Sequence, residues 1–204
     1  MMTRRAYATN WNWGGKGGQP IKVVTVTKAD RGAALSLDCK LIDEIPVDPS
    51  QVVGLQLPDA SGQLEAVAKK GGHEIARHLV ETTDEPVKLR LAPDRGTLAC
   101  DGCEALLVAV EALGAHGRPV LTANFGVAFE ILGPGRIFGV GNGDPHSHDP
   151  EKGNRRSLFN GLVNIIVQAT KDVGEIKLTA TADGLSPATT VLKTAPTQPI
   201  QAIL

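Results

Sequence analysis

Residues 133–161 gather most of the side chains here that could do chemistry: Arg136, Asn142, Asp144, His146, His148, Asp149, Glu151, Arg155 and Arg156, interleaved with glycines. Imidazole nitrogens and carboxylate oxygens together suit a divalent metal. The His-x-His pair 146/148 has no third defined position, however, and so does not specify a tetrahedral site. Asp-Pro steps at 144–145 and 149–150 point instead to backbone organised by side-chain hydrogen bonds. Planar guanidinium groups favour bidentate pairing with carboxylates. The expectation is therefore that Arg136, Arg155 and Arg156 clamp the stretch through Asp144, Asp149 or Glu151. It reads as one long polar loop between apolar runs at 127–132 and 158–169, and unstructured loops beyond about 12–15 residues are usually functional or disordered.

Two other constellations carry reactive side chains. Cys100-Asp101-Gly102-Cys103 has metal or redox spacing. A lone Cys-x-x-Cys without a second pair or a βαβ setting reads more simply as an Asp-Gly turn flanked by cysteines, and with Cys39 the odd count does not suit a disulfide framework. Trp11 and Trp13 share one side of an extended segment, because alternate strand residues share a face. Such a pair can stack on pyranose rings, or can be buried against a neighbouring domain. Left bare, it is an apolar patch that favours self-association.

Catalytic signatures are missing: no Gly-x-Ser-x-Gly, no His-Glu-x-x-His and no phosphate loop occurs. The Gly139-x-Gly141-x-Gly143 run lacks the strand-then-helix setting of a dinucleotide site. Glu65, Glu74, Glu111 and Glu130 fall in strand-like runs, on the solvent face of a sheet. No catalytic residue, metal site or cofactor is expected.

The elements that must position these groups are strands. Short alternating runs such as Ile21-Lys22-Val23-Val24-Thr25-Val26-Thr27 and Leu64-Glu65-Ala66-Val67-Ala68 recur between turn signals, the pattern of an all-β sandwich. Runs at 21–27, 33–37, 52–57, 62–69 and 73–82 form a first domain over residues 1–85, with 1–19 as a lead-in. A polar, proline-containing stop at 84–86 marks the boundary. A second domain, 86–204, continues through runs at 87–93, 105–113, 127–132, 158–170, 174–182 and 188–194, with 195–204 as a loose tail. The 158–169 run is long enough for a helix, but its β-branched Val163-Asn164-Ile165-Ile166-Val167 centre favours a strand.

The 135–168 region carries a family likeness. Gly135-Arg136-Ile137, Gly139-Val140-Gly141-Asn142-Gly143-Asp144-Pro145, Ser147-His148, Arg155-Arg156-x-x-Phe159-Asn160-Gly161-Leu162 and Ile166-Val167-Gln168 resemble the C-terminal immunoglobulin-like domain of family 2 glycoside hydrolases of the β-galactosidase type. Trp11-Asn12-Trp13 followed by Gly17-Gly18-Gln19-Pro20-Ile21-Lys22-Val23 resembles the start of the sandwich that follows the catalytic barrel in those enzymes. Departures occur at Asp38-Cys39, where an Asn-Gly turn is typical, and at Asn124-Phe125-Gly126, where Asp-Asn-Leu is usual.

The resemblance implies two tandem immunoglobulin-like β-sandwiches and an accessory role beside a barrel that this chain does not contain. A barrel takes about 250 residues, and retaining hydrolysis takes two carboxylates about 5–5.5 Å apart. It also offers the 139–154 loop as a rim near a glycan-binding cleft. The implied partners are that barrel, a second copy of the chain or carbohydrate. A free-standing carbohydrate-binding module, resting on Trp11, Trp13 and the loop, is the rival reading, and a gene remnant with no independent role is a third.

Composition excludes other classes. Lysine and arginine number 21 against 22 acidic residues, with no basic cluster, which removes an electrostatic nucleic-acid footprint. No run approaches the roughly 20 apolar residues of a membrane helix, and the N-terminus lacks the apolar core of a signal peptide. The expected location is cytoplasmic by default, although the resembling family often works in the periplasm or outside the cell.

Overall fold

In the computed structural model the described residues are 20–25, 31–45, 53–58 and 61–196. They divide into two compact units, residues 1–83 and 84–204. All regular structure among them is strand, as the alternating pattern requires. Trp11 and Trp13 lie outside the described residues, and so does the stretch 197–204.

The first unit carries β1 (Pro20–Thr25), β2 (Arg31–Leu37), β3 (Lys40–Ile45), β4 (Val53–Pro58), β5 (Gln63–Lys70) and β6 (His73–Glu81). β1 and β4 pair with each other, and the remaining four form a sheet in the order β3-β2-β5-β6. Ile21, Leu35, Leu57 and Leu64 make its buried core. Tight turns set the registers. Asp38 and Cys39 between β2 and β3 both have positive φ, and so do Gly71 and Gly72 between β5 and β6. This is the type I′ geometry that matches strand twist. Asp38 also fastens its turn to the start of β5, because its Oδ1 accepts the Gln63 N–H at 2.8 Å.

The second unit carries β7 (Lys88–Pro93), β8 (Thr97–Ala99), β9 (Ala105–Leu113), β10 (Gly126–Leu132), β11 (Gly135–Gly141), β12 (Arg155–Ser157), β13 (Leu162–Ala169), β14 (Glu175–Thr181) and β15 (Ala188–Ala195). A five-stranded sheet, β12-β10-β14-β15-β8, lies with a four-stranded one, β11-β13-β9-β7. Pairing is antiparallel except for β8 on β15. Val108, Val110, Val163, Ile165 and Val167 from one sheet and Ile176, Leu178 and Leu192 from the other are fully buried in a common core. Both edges of the five-stranded sheet are strands of three residues, which limits their use as templates for further pairing.

The long loop expected at 133–161 is corrected here. Two strands, β11 and β12, occupy its ends, leaving 142–154 between them. Glycines at 135, 139 and 141 dilute the apolar count of β11 below a recognisable alternation. A β-bulge between Ile137 and Gly139 breaks its period further. The bulge sets both Ile137 and Val140 toward the core and leaves Phe138 exposed. The run expected at 158–169 is a strand only from Leu162. Asn160 and Gly161 before it have φ of 52° and 75°, and Phe159 and Leu162 exchange hydrogen bonds of 2.9 and 3.2 Å across them. The Asn-Gly pair is therefore a two-residue I′ hairpin turn. A Cβ on Gly161 would lie 2.3 Å from the Val120 carbonyl oxygen, so only glycine fits.

Candidate functional site

The loop between β11 and β12 is organised around Arg156. β12 pairs with β10 in a register that places Arg156 opposite Val127, and the Arg156 side chain is 6% exposed. Its Nη2 donates to Asn142 Oδ1 at 3.1 Å, and its Nη1 donates to the Asp149 backbone carbonyl. Asn142, itself buried, accepts the Asp144 N–H at 3.1 Å on the same oxygen and donates from Nδ2 to the Ser157 carbonyl at 3.0 Å. Asp144 Oδ1 accepts the His146 N–H at 2.9 Å. Asp149 Oδ2 lies 3.3 Å from the Ser157 N–H it accepts. At the rear, the Val140 N–H reaches the Glu151 carbonyl at 2.8 Å.

This network corrects the expected clamp. Arg156 does hold the loop, but through an amide oxygen and a carbonyl, while the carboxylates of Asp144 and Asp149 turn to backbone N–H groups. Asp144 closes an Asx turn onto the N–H two residues on, and Asp149 reaches across to the Ser157 N–H on β12, so both carboxylates are turned away from the guanidinium. Arg156 Nε is the buried side-chain nitrogen left without a partner among the described residues. Arg136 takes no part in the loop. Its Nε donates to Gln168 Oε1 at 2.8 Å on the neighbouring strand. Arg155 lies along β10, with Nε 3.5 Å from where a Cβ on Gly126 would stand.

The histidines are at the loop surface. His146 and His148 are exposed, and His146 Nδ1 is 3.6 Å from Asp144 Oδ1. No group of three or more metal-ligating side chains assembles among the described residues. The structure thus brings Asn142, Asp144 and Arg156 into one network, keeps His146 at its margin, and leaves His148 and Arg155 apart from it.

At the Cys-x-x-Cys turn, Asp101 Oδ1 accepts the N–H groups of Cys103 and Glu104, each at 2.7 Å. These bonds, that to Glu104 first, hold its carboxyl below the usual carboxylate range. Gly102 has a φ of 80°, and all three cysteines are free thiols. Elsewhere Glu74 is also held low, chiefly by its hydrogen bond from Arg77. Both displacements are downward, opposite to what a general acid needs. A shallow groove of about 580 Å³ opens between β10 and β11, with Glu130, Arg136 and Asn154 as its polar lining. It brings no nucleophile, base and orienting group together.

The side chain whose role sequence reasoning missed is Gln168, which enters there only as part of the family likeness. It is 8% exposed, holds Arg136 from one end and donates from Nε2 to the Cys103 carbonyl at 3.1 Å from the other. A lone amide closing an apolar run was the available signal.

Set against known proteins, residues 89–191, just over half of the chain, match the model of the glycoside hydrolase family 2 C-terminal domain 5. A segment of 124 residues, 61% of the chain, is 36% identical to the β-galactosidase BoGH2A of Bacteroides ovatus and covers 15% of it. A segment of 120 residues, 59% of the chain, is 29% identical to a β-galactosidase of Thermoanaerobacter pseudethanolicus and covers 14% of it. Among solved structures, a family 2 glycosyl hydrolase member from Bacteroides cellulosilyticus superposes with a TM-score of 0.88 at 26% identity. That match takes in 92% of this chain and 24% of the other. The chain therefore spans about a quarter or less of these three relatives.

Proposed function

The chain belongs to the glycoside hydrolase family 2 C-terminal domain 5 family, and from that premise we propose that it is a non-catalytic accessory part of a β-galactosidase-like enzyme. Its role there is to support the packing of a catalytic barrel, the shape of the substrate cleft or oligomerisation. The observation that carries this reading is the use made of the polar loop. Arg156, Asn142, Asp144 and Asp149 direct their hydrogen bonds to the backbone of the loop and of β12 and to one another. Groups that recognise a substrate leave donors and acceptors turned outward. Here they hold a 13-residue crossing between β11 and β12 in one shape.

The test is turnover of a nitrophenyl β-galactoside by the purified chain. No hydrolysis is expected. Hydrolysis that disappears when this chain's own carboxylates are substituted overturns the proposal.

A further inference from the structure

Arg136 stands in the groove between β10 and β11 already oriented. Its Nε is spent on Gln168 Oε1 at 2.8 Å, and Gln168 is buried and fixed from its other end to the Cys103 carbonyl at 3.1 Å. A guanidinium held by one nitrogen on a buried amide keeps its planar fork in one direction. Among the described residues neither Nη of Arg136 has a hydrogen-bond partner. The same is true of the Glu130 carboxylate and the Asn154 carboxamide, which line the groove with it. In the adjoining loop, by contrast, Asn142, Asp144, Asp149 and Arg156 spend their polar atoms on the protein itself.

The backbone adds a donor and an acceptor. β12 pairs with β10 only as far as Ala128, and the Phe129 N–H is taken by the Asn154 carbonyl at 2.8 Å. In an antiparallel ladder the N–H and C=O groups of alternate residues face the same side, so those of Ile131 face the groove, past the end of β12. The chain then turns a corner at Gly133, where φ is 97° and a Cβ would collide with the Glu175 carbonyl oxygen. β11 returns from it in the other sheet, carrying Arg136 and Ile137 along the groove. Ile131 and Ile137, packed on the core but only partly buried, give the groove an apolar floor.

We propose that this groove binds an uncharged saccharide. Arg136 supplies donors, Glu130 acceptors, and Asn154 and the Ile131 backbone both, a mixture that suits hydroxyl groups, each of which donates and accepts at once. The lining carries one positive and one negative side chain, so an anion meets Glu130 and a cation meets Arg136, and like-charge juxtaposition rejects either. The carbon-bound faces of a sugar ring match the isoleucine floor. An added peptide strand is excluded by length: only residues 130–132 of β10 lie between the Asn154 contact and the corner, too short a run for β-augmentation. The volume of about 580 Å³ falls within the roughly 300–1,000 Å³ of small-molecule sites. Because the groove is shallow and buries one side of its ligand, affinity is expected in roughly the millimolar range. The inference goes beyond the accessory reading and requires binding without turnover.

The experiment titrates the isotope-labelled full chain with lactose, cellobiose and maltose, and with galacturonate and glucosamine as charged counterparts, and follows backbone amide shifts. At least one neutral disaccharide is expected to shift the amides of Ile131, Arg136 and Ile137 saturably, with both charged sugars weaker by roughly fivefold or more. Glu130→Ala and Arg136→Ala, at exposed positions, are each expected to weaken the best disaccharide by roughly fivefold or more while the amide spectrum stays that of a folded chain. Asn154→Ala gives a smaller loss, and His146→Ala with His148→Ala leaves the affinity as it was. The absence of a saturable shift with all three neutral disaccharides overturns the proposal. So do shifts confined to residues outside the groove, a charged sugar bound as tightly as the best neutral one, or wild-type affinity in Glu130→Ala, Arg136→Ala and Asn154→Ala alike. Cleavage of a disaccharide by the chain during the titration overturns the accessory reading instead, so the two failures are told apart.

Discussion

The second unit closes its two sheets over a continuous core running from Leu89 to Leu192, with Val108, Val163, Ile165 and Ile176 wholly excluded from solvent. The first, among its described residues, gathers Ile21, Leu35, Leu57 and Leu64, while residues 73–79 of β6 are exposed throughout. Both use two-residue I′ turns, but the second builds its turn from Asn160-Gly161 and the first builds one from Asp38-Cys39. The difference teaches where stability resides. A small core leaves little margin over conformational entropy, so among the described residues each buried side chain of the first unit is expected to count for more than one of the second.

Removing one large core side chain from each unit should break the comparison most visibly if it is wrong. Leu35→Ala and Ile165→Ala each delete side chains that are 1% and 0% exposed, at a cost of about 2–5 kcal/mol. Calorimetry is expected to show the first unit's transition abolished by Leu35→Ala and the second unit's transition lowered but intact in Ile165→Ala. Equal losses contradict unequal cores.

Next in size is Gly161→Ala. Positive φ costs a non-glycine residue about 1–2 kcal/mol, and the Val120 oxygen 2.3 Å from the new Cβ adds to it. Chemical denaturation should register a loss of more than about 2 kcal/mol in the second unit alone. The converse substitution, Cys39→Gly, sharpens the comparison from the other side. It relieves a left-handed cysteine with a φ of 62° and should stabilise the first unit by up to about 1 kcal/mol.

The smallest effect is one of pH. The folded state holds the Asp101 carboxyl below its ordinary value, so its contribution is fully present above that ordinary value and is lost as pH falls through the folded one. The stability gap between wild type and Asp101→Ala should therefore be constant near neutrality and close only in acid, below about pH 4. Urea melts of the second unit across pH 2–7 measure it. A gap that closes near pH 6 would mean another group is responsible.

These contrasts also mark what sequence could convey. Alternation in Leu64-Glu65-Ala66-Val67-Ala68 and the β-branched run 163–167 lead directly to β5 and β13, because side-chain period reports burial. β11 escaped, since Gly135, Gly139 and Gly141 contribute no hydrophobic signal, and the bulge at Phe138 shifts the phase of what remains. β12 and β8, at three residues each, are too short for any period to register. In the loop, residue types announced a clamp but not its partners. Whether Arg156 meets Asp149's carboxylate or its carbonyl depends on the backbone path, which no spacing rule encodes. Gln168 was hidden for a related reason: its two partners, Arg136 and Cys103, come from separate strands and loops joined only by the sheet register.

The central claim is that the conspicuous loop is a structural clamp rather than a ligand site, and calorimetry of two variants tests it most directly. Arg156→Ala removes two hydrogen bonds from a buried position and is expected to lower the second unit's transition by about 5–15 °C. His146→Ala with His148→Ala, at the exposed rim, is expected to leave it unmoved. A transition unchanged in Arg156→Ala would contradict the account.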